Sequence, residues 1–333
     1  MRACEARERR QAWRFVCALL ATLGIGLAAL ATLNGLANPF GRFDQPLRPG
    51  FNDTPSATFY ASERAAQLRW LTRQAQHAGD QDLLIGTSHV LFGMETCALP
   101  RLRRLALLRL SLAEVGALAP VLAATPRPRT LSIELGMADA NTVTPVPASG
   151  APLWRELFGW EATRVSLATL WRSRYPTRRE PASSGACASE VHPGQWGHED
   201  AEVAKLIAAL RSPAQLAAQQ RALGQLVQAL APACARHAQR LRLFSLPVYA
   251  SPAFLPALLD AQRRAAGASR RTLRDYQRLF PGCRLEFRDL ATPYTRKGLE
   301  SGGIDRADWL DWHHFRPALG ADLLRALQAD AVP

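Results

Sequence analysis

Nothing constrains this chain more than residues 15–33, FVCALLATLGIGLAALATL, which carry no charge. The charge-free stretch continues to Gly41. About 20 apolar residues, rising 1.5 Å each, cross the hydrocarbon core of a bilayer. The run is apolar on every side, so it has no polar face to offer water. In front of it stand Arg2, Arg7, Arg9, Arg10 and Arg14 against Glu5 and Glu8. A short flank with excess positive charge stays in the cytoplasm. The reading is therefore a cytoplasmic flank at 1–14, a transmembrane anchor at 15–37, and the bulk of the chain on the far side. A cleaved signal peptide is the alternative, with small residues at 35–37. A signal's apolar core runs only ~7–15 residues, so the length favours an uncleaved anchor.

Export changes how the remaining composition reads. The net charge is +13, almost entirely arginine, since Lys205 and Lys297 are the only lysines. Taking away the flank leaves roughly +10 outside, where a basic surface meets anionic lipid or acidic polysaccharide, and nucleic acid is not an expected partner. Cys4 and Cys17 belong to the flank and anchor. Cys97, Cys187, Cys234 and Cys283 lie where disulfides form. They allow three complete pairings, or could remain buried thiols, and the sequence does not choose. No Cys/His spacing suggests zinc, and neither metal nor cofactor is expected.

Residues 38–55, rich in Pro, Gly and Asn, read as a linker, and 56–333 as one exported domain. Helical patterning is expected at 56–77, followed by apolar strand-like runs at 82–87, 105–111, 130–135, 241–246 and 284–289. Helical patterns fall at 112–124, 164–174, 201–210, 213–240, 252–265, 270–280 and 317–328. Strands alternating with helices predict an α/β domain: a mainly parallel sheet with helices on both faces. Residues 138–159 and 176–200 read as loop insertions. In such sheets function gathers at the carboxyl ends of strands.

One such end reads LLIGTSHVLFGM, residues 83–94, with Ser88 just past an apolar run. Ser88 or Thr87 could simply cap a helix. The alternative is a nucleophile, which needs a base. DWLDWHHFRPALGADLL, residues 308–324, supplies one immediately before a helix whose Pro317 suits the first turn. His314 can take the serine proton, and Asp311 can orient the imidazole. His313 is a rival base. His89 reads as a surface or supporting group, Asp289 as a capped strand end, and Trp309 and Trp312 as packing or sugar-stacking rings.

Gly86-Thr87-Ser88 after the first strand, with Asp311-Trp312-His313-His314 before the last helix, resembles the SGNH (GDSL-like) hydrolase superfamily. The layout is similar to that of bacterial membrane-anchored members, which share an anchor, a Gly50-Phe51-Asn52-like linker and a terminal segment matched by Asp311, His314, Phe315, Pro317 and Gly320. The resemblance implies a three-layer flavodoxin-like fold with Ser88 as nucleophile, His314 as base and Asp311 as its orienter. It implies an oxyanion hole from the Ser88 amide, a glycine after the second strand and an asparagine after the third. Gly116 comes several residues late for the glycine. Ala138 stands near the asparagine position, and Asn141 lies three beyond. The activity implied is esterase or acetyl-transferase chemistry on an envelope or extracellular carbohydrate. Transfer would draw on a membrane-bound acyl-donor partner. A non-catalytic polysaccharide-assembly protein that has lost the oxyanion hole is the alternative.

Overall fold

The computed structural model of the chain describes residues 2–38, 64–96, 99, 101–124, 130–136, 153–174, 196–237 and 239–329. Along it run α1 (Arg2–Ala37), α2 (Arg64–Gln76), β1 (Asp82–Gly86), α3 (Ser88–Gly93), β2 (Leu102–Ala106), α4 (Leu112–Ala117), α5 (Ala119–Ala124) and β3 (Thr130–Glu134). Then follow α6 (Leu153–Phe158), α7 (Trp160–Arg174), α8 (Glu199–Arg211), α9 (Pro213–Arg236), β4 (Arg240–Ser245), α10 (Leu255–Leu279), β5 (Arg284–Asp289), α11 (Ala291–Glu300) and α12 (Pro317–Gln328). Most of the linker at 38–55, with Cys97, Cys187, Ala138 and Asn141, lies outside the described residues.

The chain divides into two compact units, Met1–Trp70 with Pro147–Arg178, and Leu71–Val146 with Arg179–Pro333. In the first, α1 contains the apolar run. Its segment Arg9–Ala37 has 29 residues and is long and apolar enough to cross a membrane. Within this unit α6 and α7 pack against α1. Asn34 explains the local attachment: its amide donates to Leu157 O at 2.7 Å and to Thr163 Oγ1 at 3.1 Å. Both bonds use the amide nitrogen, while the buried Asn34 Oδ1 has no hydrogen-bond partner among the described residues.

The second unit is built on five parallel strands in the order β2-β1-β3-β4-β5. Parallel strands buried on both faces read as near-continuous apolar runs, which is why LLIG and LSIE were visible in the sequence. Alternate residues face opposite ways. Leu84, Ala106 and Phe244 cluster with Val90 of α3 and with Leu319, Leu323 and Leu324 of α12. Leu131 and Leu241 instead line a small cavity with Leu122 of α5 and Leu230 of α9. Arg242, buried in β4, bonds Glu286 at 3.0 Å and the carbonyl of Leu327 at 2.6 Å. It thereby latches the end of α12 to the sheet and satisfies one of that helix's orphan carbonyls.

Several boundaries differ from expectation. The second strand is Leu102–Ala106, not 105–111. Beyond it the chain turns through Arg109, whose φ of 52° is left-handed, and no strand can continue through that conformation. The expected helix at 112–124 is two short ones, α4 and α5. The expected pair at 252–265 and 270–280 is one helix, α10, because Ala266, Ala268 and Ser269 are buried packing residues within a continuous helix, not a break. The loop expected at 138–159 contains α6. The strand at 284–289 and the helix at 317–328 fall where expected.

Cys234 and Cys283 form a disulfide, joining the end of α9 to the start of β5. It closes a loop of sequence separation 49, for which chain entropy predicts about 4 kcal/mol of stabilisation. Cys283→Ala is expected to lower the midpoint of chemical unfolding by an amount worth about 2–4 kcal/mol. An unchanged midpoint would show that the bond constrains nothing.

Candidate functional site

The sheet order reverses at β1, whose neighbours are β2 on one side and β3 on the other. In open α/β sheets the crevice beyond such a switch point is where ligands bind. Two strands end there. β1 stops at Gly86 and leads through Thr87 into α3, whose first residue is Ser88. β3 stops at Glu134. Ser88 therefore lies at the expected strand end, with its N–H in a first helical turn, where amides have no intrahelical acceptor.

The loop before α12 brings in the second half of the site. Trp309 and Phe315 form an antiparallel bridge, and Leu310 N donates to His314 O at 2.7 Å. Between them Asp311 organises the turn. Its Oδ1 accepts from His313 N at 3.0 Å and His314 N at 2.8 Å, and its Oδ2 takes His314 Nδ1 at 2.7 Å. Burial pushes the Asp311 carboxyl upward. The His314 ring bond, the His313 amide and the two imidazoles outweigh that and hold it at about 2. An ionised Asp311 makes Nδ1 the protonated nitrogen of His314 and leaves Nε2 as the acceptor. His314 Nε2 is buried and has no hydrogen-bond partner among the described residues.

α3 and this loop meet closely. The His314 ring packs edge-on to Phe92, with centroids 5.3 Å apart. Ser88 and Phe92 are four apart on one helix and share a face, so Ser88 lies one turn from the ring that His314 touches. The structure thus brings Asp311 and His314 into contact and places both beside the helix that Ser88 begins. No hydrogen bond joins Ser88 to His314 among the described residues. Gly116 lies in the last turn of α4. The left-handed residue after β2 is Arg109, a conformation costing a non-glycine residue about 1–2 kcal/mol.

The sequence reading missed Glu134. Its side chain is nearly fully buried and accepts from Thr87 N at 2.7 Å, Thr87 Oγ1 at 3.0 Å and His89 Nδ1 at 2.8 Å. Gly86 makes this possible, because a Cβ there would lie 2.6 Å from Glu134 Oε2 and overlap Val90. His89 is thus a second imidazole held by a carboxylate through Nδ1, and its Nε2 is likewise buried without a partner among the described residues. The His89 ring is 5.6 Å from His313 and 6.0 Å from His314. The legible signal was an acidic residue ending a strand at the switch point beside a glycine-ended neighbour.

Other expectations resolve simply. Trp309 is fully buried and donates to Tyr294 OH at 3.3 Å, so it is core and cannot stack on a sugar. Trp312 is half-buried against His313. Asp289 ends β5, and its Oδ1 accepts from Thr292 N in the first turn of α11 at 3.0 Å. Asp311, His313 and His314 place ligand atoms within 4.8 Å of one another, close enough for a cation. Both Asp311 oxygens, however, already accept bonds from the turn.

Burial, together with neighbouring His314 and His89, lowers His313 from an ordinary 6.5 to about 3, against the attraction of Asp311. A histidine kept neutral in the fold stabilises it fully above its free pKa, and that contribution is lost as pH falls from about 6.5 toward about 3. His313→Gln is expected to flatten the fall in unfolding free energy across that window, as read by urea titrations at several pH values. An unchanged slope would reject the assignment.

No protein-family model, curated protein or solved structure matches this chain. Function therefore has to come from the chemistry of these residues.

Proposed function

We propose that this is a membrane-anchored, exported SGNH-type enzyme, a three-layer flavodoxin-like domain that moves acyl groups, chiefly acetyl, on an envelope or extracellular carbohydrate. One observation carries the proposal: the 2.7 Å Asp311–His314 bond leaves a buried, unpartnered Nε2 beside the helix that Ser88 begins. A serine alcohol reacts only when a base takes its proton. Ser88 Oγ gives that proton to His314 Nε2 and bonds the ester carbonyl carbon. The carbonyl oxygen becomes an oxyanion facing the Ser88 amide, with Gly116 and Asn141 as further candidate donors. The carbon–oxygen bond to the leaving alcohol breaks as an imidazolium gives the alcohol its proton, and acyl-Ser88 remains. Water or a sugar hydroxyl then bonds the acyl carbon and loses its proton to an imidazole, the bond from that carbon to Ser88 Oγ breaks, and Ser88 takes a proton back from an imidazolium.

Export is supported by the apolar α1 and by the Cys234–Cys283 disulfide, a bond of oxidising compartments. A reporter fused after Pro333 should be active only outside the cytoplasm. The chemistry is tested by labelling the purified chain with a fluorophosphonate. Ser88 should carry the label, and His314→Ala should abolish it.

A second reading rests on the missing Ser88–His314 hydrogen bond. In it the chain is a non-catalytic assembly or polysaccharide-export accessory protein on the same fold. Catalytic bonds often tighten only once substrate is bound, so the distance does not decide. An unlabelled Ser88, with wild-type function retained in Ser88→Ala cells, would establish the accessory role.

A further inference from the structure

We propose that the α6–α7 segment is a second membrane contact, lying at the boundary between headgroups and hydrocarbon beside the C-terminal end of α1. The inference starts from a helix with two apolar faces. Ala162, Val165 and Ser166 of α7 are buried, and α6 and α7 both pack on α1. Away from that face, Trp160 is 76% exposed and Leu167 51%, seven residues apart and so on one stripe. In α6, Trp154 is 61% exposed and Phe158 39%. Isolated exposed apolar side chains need no explanation, but four on one short segment do.

Its position names the occupant. The Asn34 bonds to Leu157 and Thr163 fix the segment at the end of the apolar span, not at its middle. α6 and α7 pack on the helix that carries the span, and none of the span's apolar window is buried by protein. Lipid around the span therefore reaches the segment packed at its end. Tryptophan is the side chain enriched at this depth, with a ring for the acyl boundary and an N–H for the headgroups. The segment's charges suit the same depth. Arg155 lies 5.7 Å over the Trp154 ring, and Arg164 pairs with Glu161 at 2.8 Å on the exposed side. Long charged side chains reach the headgroups while their stems stay in the apolar boundary.

The proposal rests on α1 spanning the bilayer, and its test separates the two. The full chain is placed in phosphatidylcholine nanodiscs whose acyl chains carry bromine close to the headgroup. Wild type is compared with Trp154→Phe/Trp160→Phe, and the difference in emission belongs to those two rings. Bromolipid is expected to remove about half or more of that difference, and aqueous iodide little of it. Quenching by iodide alone would put the segment in water. Quenching by neither would mean that a second copy or a partner protein covers it. Either result overturns the proposal. Resistance to carbonate extraction from native membranes tests α1 alone, and extraction by carbonate would reject the span whatever the two rings report.

The Glu134–His89 pair supports a second inference, which rests on the acyl-transfer reading. We infer that His89 is a second catalytic acid–base, positioned by Glu134, that serves the alcohols while His314 serves Ser88. Protonated His89 gives its Nε2 proton to the leaving alcohol as the acyl–oxygen bond breaks. Neutral His89 then takes the proton of the incoming hydroxyl as that oxygen bonds the acyl carbon. Ser88 Oγ recovers its own proton from His314. Each imidazole ends as it began, and the alcohols exchange one acyl group. Two carboxylate-held rings 6.0 Å apart, each with a buried unpartnered Nε2, are the geometry this division requires.

The test uses leaving groups. p-Nitrophenolate departs without a proton, whereas a sugar alkoxide needs one. His89→Ala and His89→Gln are each expected to slow turnover of an acetylated sugar about 10²-fold, while the p-nitrophenol burst from p-nitrophenyl acetate stays within about threefold. Equal slowing of both esters, or of neither, would overturn the role of His89 and leave the triad standing. A wild-type chain with no acyl-Ser88 would instead overturn the acyl-transfer reading, and this inference with it.

Discussion

Ser88→Ala and His314→Ala are each expected to lower acyl-ester turnover by roughly 10⁴- to 10⁶-fold, and the double variant by no more than either alone. In the proposed triad the two groups act as one unit. Without an imidazole, Ser88 keeps its proton, and without the hydroxyl, His314 has no nucleophile to activate. Asp311→Asn should cost roughly 10³- to 10⁴-fold and leave the chain folded. An asparagine oxygen can still accept the His313 and His314 amides that shape the turn, as Asp311 Oδ1 does at 3.0 and 2.8 Å. It cannot supply the charge that fixes the His314 tautomer. Steady-state turnover of p-nitrophenyl acetate by the purified chain and its variants measures all of these. If the losses in the double variant multiply, the residues act independently and the triad is wrong.

What was legible in the sequence is what chemistry writes locally. The anchor is a run of uncharged residues, and a span's length is counted, not inferred from contacts. Pro317 marks a helix start because it lacks the N–H that a first turn leaves unused. Asp311 and His314 could be paired from spacing because one short turn carries both. Glu134 could not be paired with His89, which lies 45 residues earlier. Their contact exists only because the sheet order sets β3 beside β1, and a one-dimensional pattern does not state sheet order. The misplaced β2 has the same origin. Residues 105–111 look as strand-like as 102–106, and what ends the strand is the left-handed backbone at Arg109. α10 was divided because a Gly-Ala-Ser stretch reads as a break when nothing shows what it packs against.

Gly320→Ala is expected to destabilise the second unit by about 3 kcal/mol or more, a larger effect than most core substitutions. α12 crosses α3 so closely that a Cβ on Gly320 would run into the Gly93 carbonyl, 2.6 Å from its carbon and 3.2 Å from the Phe315 ring. Gly93 is equally confined, because the Phe315 ring fills the space its own Cβ would need. A clash with a flexible side chain is relieved by a rotamer change. Backbone cannot move aside without carrying its helix with it. Ser88 opens α3, and His314 precedes α12 by three residues, so the same displacement parts the proposed nucleophile from its proposed base. An ångström of misplacement can cost about 10²-fold in rate, so the folded fraction should also be less active. Gly267→Ala is the contrasting case. It lies inside α10 with only the flexible end of Arg271 nearby, at 3.6 Å, and should stabilise by up to about 1 kcal/mol through helix propensity. Thermal unfolding of the two variants separates close packing from glycine content. If Gly320→Ala melts with the wild type and keeps its turnover, α3 and α12 do not meet as described, and the placement of His314 beside Ser88 falls with that contact.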